Sequence, residues 1–159
     1  MYPRAMVRND AFNAAVQLLK TRERSEKELT SRLRRKGFEA DEVTAAVDRC
    51  REYGYVDDSR FARCKARQLL TNGRAVGRRL QRELQLAGVA EELVEQTLAE
   101  LQSDFKEETL LDELLERRFA SFDYRLADDR ERRRVVNYFL RRGFALATIL
   151  EQLKKPCGG

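Results

Sequence analysis

The chain has 159 residues, of which 42% are hydrophobic and 37% charged, with a net charge of +5 and neither histidine nor tryptophan. So large a charged share, against roughly 25% in ordinary globular proteins, cannot all be buried; an elongated, surface-rich shape is expected, and mechanisms that need an imidazole are closed. No apolar run approaches the roughly 18 residues of a membrane span, "MYPRAMVRND" lacks the apolar stretch of a signal peptide, and Cys50, Cys64 and Cys157 form no CxxC pair, so a reduced, cytoplasmic protein is expected.

Residues 9–56 read as three helices. "QLL" (17–19) lies in the first. Ser25 and Glu28 form a capping box ahead of "ELTSRL", and this second helix ends at "LRRKGF" (33–38). Gly37 there takes the left-handed conformation that stops a helix, which brings Phe38 onto Leu33 as the apolar pair of a Schellman motif. The third helix carries Val43 and Val47 on its inner face. Gly54 stops it, and the flanking Tyr53 and Tyr55 are expected to pack.

Residues 57–102 repeat the plan. Asp57-Asp58 cap the helix of "RFARCKARQLL", and "QLL" recurs at 68–70. "NGRAVGRR" (72–79) opens the next helix; it lacks the GK[ST] ending of a nucleotide-binding loop. That helix ends at "LQLAGV" (84–89), with Val89 set on Leu84 past Gly88, and Val94 and Leu98 face inward after it. Residues 103–155 hold the third copy, in which a longer connection, "FASFDYRLADD", separates the first two helices. Asp128-Asp129 cap "RERRRVVNYFL", "FLRRGF" (139–144) sets Phe144 on Phe139 past Gly143, and Ile149 and Leu153 follow. Leu29, Leu80 and Val135 each stand eight residues before their glycine. With both prolines, Pro3 and Pro156, near the ends and no sustained period-two alternation, the triple register predicts an all-α fold. Nine helices in three tandem three-helix repeats would form an elongated, curved array, with 156–159 a tail.

The charge is segregated. From Arg60 to Arg82 stand Arg60, Arg63, Lys65, Arg67, Arg74, Arg78, Arg79 and Arg82 without one acid; from Glu83 to Glu116 eleven acids face a single base, Lys106; from Arg117 to Arg142 nine arginines face four acids. Arginine suits forked contacts to carboxylate or phosphate. Arg74, Arg78 and Arg82, four apart, are expected on one helical face with Arg79 beside them and Leu80 and Leu84 buried opposite. The paired aspartates read as helix caps, having no third metal ligand nearby in sequence, and Cys50 and Cys64 as small hydrophobes. No enzyme, cofactor or metal site is expected, and no role is assigned to Cys157.

"LLKTRERSEKELTSRLRRKGF" (18–38), "YGYVDDSRFA" (53–62) and "NYFLRRGF" (137–144) together resemble the RecX family, bacterial regulators of the recombinase RecA, from about Phe12 to Lys155. The resemblance implies a non-enzymatic array of three units, expected as a monomer, that binds the RecA filament on DNA along its groove. It implies inhibition of the filament's ATPase and strand exchange and promotion of its disassembly, so that recombination, DNA repair and the SOS response are modulated; modest direct DNA binding is implied too. The expected contact residues are Arg63, Arg67, Arg74, Arg78, Arg79 and Arg82, with Arg34, Arg35 and Lys36 at the first turn and Arg141 and Arg142 at the third. The turn at 84–89 has no basic residue and receives no contact role. A stand-alone DNA-binding protein is the alternative, since such units can mimic a helix-turn-helix. Against it, "SEKELTS" and "EELVEQT" put acids at helix starts, where phosphate is repelled. A metal-dependent nuclease lacks clustered acids and histidines.

Overall fold

The computed structural model describes residues 10–156. Nine helices and no strand occur among them: α1 (Ala11–Thr21), α2 (Glu26–Arg35), α3 (Ala40–Glu52), α4 (Asp58–Thr71), α5 (Gly77–Leu86), α6 (Glu91–Leu101), α7 (Glu107–Arg118), α8 (Asp129–Arg141) and α9 (Leu146–Lys154). They pack in successive groups of three, α1–α3, α4–α6 and α7–α9, which gives the all-α repeat architecture expected. Cys157 lies outside the described residues.

The side chains of Asp10, Ser25, Asp57 and Asp128 each accept a backbone N–H from the first turn of the helix they precede. The capping box expected at Ser25 is only half present. The Glu28 N–H donates to Ser25 at 3.1 Å, but the Glu28 carboxylate turns to the Arg22 guanidinium at 3.0 Å, a charge-assisted partner stronger than a backbone amide. Asp58 likewise does not cap α4; it accepts the Glu26 N–H at 2.8 Å and so ties α4 to the start of α2.

All three middle helices, α2, α5 and α8, end as the glycine register predicts. Gly37, Gly88 and Gly143 have φ of 92°, 93° and 98°. The following N–H closes each turn: Phe38 on the Leu33 carbonyl at 3.4 Å, Val89 on Leu84 at 3.1 Å, Phe144 on Phe139 at 3.3 Å. In the third, the Phe139 and Phe144 rings meet edge to face at 5.5 Å.

Two buried clusters result. One belongs to α1–α3 and the segment after it, with Leu29, Leu33, Val43, Val47, Cys50 and Val56. The other runs without a break through α4–α9, from Phe61 and Leu80 to Phe139 and Ile149. Phe119, from the long connection, joins the second through an edge contact with Tyr138 at 4.9 Å.

One sequence expectation about packing needs correction. Cys64 is exposed, because the buried positions of α4 are Phe61, Ala62, Ala66 and Leu70 and Cys64 falls on the other side. Cys50 is buried, and burial pushes its thiol up. Leu98 faces inward as expected, half-buried and packed against the second cluster; its neighbour Thr97 is buried, its hydroxyl donating to the Leu93 carbonyl at 2.7 Å. Tyr53 and Tyr55 are 56% and 48% exposed; they stack on each other at 5.5 Å and on Phe12 rather than entering the core.

Candidate partner-binding surface

The middle helices follow one another end to end. The end of α5 sits on the start of α2: the Ser25 hydroxyl, at the cap of α2, donates to the carbonyl of Ala87, the last residue before Gly88. A Cβ on Gly88 would collide with the Lys27 side chain, its Cδ 2.6 Å away. The end of α8 sits on the start of α5 in the same way. The Val76 N–H donates to the Arg142 carbonyl at 2.8 Å, and a Cβ on Gly143 would meet the Val76 carbonyl and lie 2.7 Å from Arg79 Cβ. Each contact joins the negative end of one helix dipole to the positive end of another. The glycine turn is therefore both a stop and a joint.

Around these joints the basic residues gather. At the α2–α5 joint an open cleft of about 220 Å³ is lined by Arg22, Lys27, Glu28, Ser31, Arg32, Arg35, Leu86 and Ala87. Arg35 was expected at the surface; Lys27, Ser31 and Arg32 were not singled out, although Lys27 stands at the same distance from its glycine as Arg78 does. At the α5–α8 joint the backbone contact brings Arg79 and the Arg141-Arg142 turn together.

Within that set the arginines differ. Arg78 and Arg82 are exposed on α5, and Leu80 and Leu84 are buried opposite them. Arg74 is exposed too, but it does not share their helical face: α5 begins at Gly77, after an extended Val76, and Gly73 has already turned left-handed at φ 62°. Arg74, Arg78, Arg82, Arg34, Arg35, Lys36 and Arg141 have no acidic partner among the described residues. Others in the acid-free run pair with acids outside it, two of them distant in sequence and one four residues on. Arg60 pairs with Glu23 at 2.8 Å, Arg67 with Asp104 at 3.0 Å, and Arg79 with Glu83 at 2.8 Å. Arg63 donates to the Ser59 hydroxyl at 3.0 Å. The Arg142 guanidinium carbon sits over the Tyr138 ring, 3.5 Å from its centre, and Arg142 donates to the Tyr138 carbonyl.

Burial shifts the pKa of two groups beside this surface. Arg24 is buried, donates to the Leu18 carbonyl and the Thr21 hydroxyl, and is held below the usual guanidinium range by burial and then by Arg22 and Arg32. Burial raises Asp58 above the usual carboxylate range, partly opposed by the Glu26 N–H. No group of three metal-capable side chains occurs among the described residues, and no described helix is long and apolar enough to cross a membrane. The surface is equipped to hold carboxylates or phosphates by charge.

Two family models match, described as the first and second three-helix domains of RecX, over residues 11–50 and 57–98. The regulatory protein RecX of Syntrophotalea carbinolica is 46% identical over 91% of this chain and 94% of its own. That of Trichlorobacter lovleyi is 37% identical over 92% and 96%. Among solved structures, the crystal structure of RecX from Lactobacillus salivarius superposes with a TM-score of 0.68 at 20% identity, over 90% of this chain and 94% of that one. Another RecX crystal structure gives 0.72, covering 92% and 70%. The chain belongs to the RecX family of regulatory proteins.

Proposed function

We propose that the protein is a negative regulator of RecA: it binds the RecA filament on DNA, inhibits its ATPase and strand exchange, and promotes its disassembly. Family membership supports RecA as the partner. The observation that carries the contact is the exposed group Arg74, Arg78 and Arg82 with Arg141 across the α5–α8 joint, none of them spent on an acid among the described residues. Like charges four apart on one helix cost a few tenths of a kcal/mol per pair, a cost that a partner bearing carboxylates or phosphates offsets. Attraction of this kind acts over a Debye length of about 8–10 Å at moderate salt.

The double variant Arg78→Glu, Arg82→Glu tests this, since neither residue is tied to an internal acid. Added to a preformed RecA filament on single-stranded DNA, it should inhibit ATP hydrolysis less than the parent does, with the larger loss at low salt and the helical circular dichroism unchanged. Equal inhibition at low salt by a folded variant would show that this face is merely solvated. Retained inhibition of RecA with lost binding to free DNA would assign the arginines to the DNA alone.

A further inference from the structure

The two joints within the chain define one rule of contact. A turn of the form apolar–x–x–x–Gly–apolar seats by its last carbonyl on the N-cap residue of another middle helix, Ser25 or Val76. The chain also carries each half of such a joint once without the other. Among the described residues, the Gly37 turn has nothing within 4 Å of where a Cβ would stand, and the Lys36 carbonyl, equivalent to those of Ala87 and Arg142, accepts no backbone or side-chain donor. At the far end of the series, Asp128, Asp129 and Glu131 at the start of α8 are exposed. Leu126, two residues before its cap, is 86% exposed.

The geometry points to a head-to-tail contact between two copies of this chain, in which the Gly37 turn of one seats on the start of α8 of the other. The charges fit this joint better than they fit the internal ones. Arg34, Arg35 and Lys36 would face Asp128 and Glu131, which have no basic partner among the described residues, and Asp129, which Arg132 meets at 3.5 Å, whereas inside the chain the Gly143 turn sits against the stem of Arg79. The first amides of α8 are open to the Lys36 carbonyl: Glu131 N–H is taken by Asp128, while those of Asp129 and Arg130 have no acceptor among the described residues. The helix dipoles meet with opposite signs, as at the other two joints. Phe38, half-buried beside its turn, and Leu126 supply apolar surface.

Such a contact joins different patches on the two copies, so it is heterologous and adds further copies head to tail, in a line or a closed ring according to the rotation between neighbours. One helical turn on another is a small area, which makes the association weak and favours it where copies are concentrated. The inference does not rest on the filament reading, because it concerns the free protein.

Sedimentation velocity over a concentration series at low salt tests it. The parent should show a weight-average mass that rises with concentration and falls when salt is added. Arg35→Glu with Lys36→Glu should remain monomeric alone, as should Asp129→Lys with Glu131→Lys. An equimolar mixture of the two should associate again, because each reversed end then meets its complement. A parent that stays monomeric throughout, variants that associate as the parent does, or a mixture that stays monomeric would each overturn the proposal. Circular dichroism checks that each variant is folded. Should one lose helix, Gly37→Ala replaces it, since a methyl at the centre of the joint must reduce association; association unchanged by that methyl counts against the contact.

Discussion

The Gly37 turn and the Gly143 turn are written with nearly the same residues, "LRRKGF" and "FLRRGF", and close with the same hydrogen bonds, yet they serve differently. Among the described residues nothing crowds Gly37, whereas around Gly143 the carbonyl of Val76 and the stem of Arg79 leave no room for a side chain. In one, glycine is needed only because the backbone is left-handed. In the other it is needed also because another helix stands where Cβ would be. One local signal thus ends a helix everywhere and fastens a neighbour only where the array supplies one.

The largest effect separating the two turns should come from Gly143→Ala, which adds steric conflict to the left-handed strain; a loss of roughly 3 kcal/mol or more is expected in urea unfolding. Gly88→Ala should cost roughly 2 kcal/mol, since the Lys27 stem and the start of α2 must move. Ser25→Ala removes the cap of α2 and leaves the Ala87 carbonyl unmet at the same joint, for a loss of roughly 1–2 kcal/mol. Gly37→Ala should cost only about 1 kcal/mol, the left-handed penalty alone. If Gly37→Ala proved as damaging as Gly143→Ala, the distinction between open and seated turns would fail.

The smallest expected effect is at Asp58, whose folded-state pKa is raised above its unfolded value, mainly by burial. A raised carboxyl stabilises the fold in its protonated form below the unfolded pKa, and that contribution is lost as pH rises through the folded pKa. Asp58→Asn keeps an oxygen to accept the Glu26 N–H and removes the half-buried charge. It should therefore match or exceed the parent in stability near neutral pH, and relative to the parent its advantage should shrink on acidification. A neutral-pH loss as large as that of Ser25→Ala would show that the charge on Asp58 is required.

The turns were legible because their causes are local: a glycine, an apolar residue on each side and a 3.6-residue period lie within one short stretch. The fate of the arginines was not. Glu23 and Asp104, which neutralise Arg60 and Arg67, stand 37 residues from their partners, so an acid-free run in sequence became a mixed surface in space. The seating of Ser25 on Ala87 and of Val76 on Arg142 was hidden for the same reason. The displacement of Arg74 from the α5 face did leave a trace. "TNG" ends α4 at Gly73 just as "RKG" ends α2 at Gly37, and the same glycine rule, applied there, would have put Arg74 in the connection.

The division of the buried side chains into two clusters has a kinetic meaning. The unit α1–α3 shares polar ties with its neighbour, through Asp58, Glu23 and Ser25, but no continuous apolar core. It can open while α4–α9 stay shut, and in native-state hydrogen exchange its amides should form a group of their own with a lower opening free energy. The chain then behaves as two cooperative bodies of unequal size, the smaller of which carries the open turn.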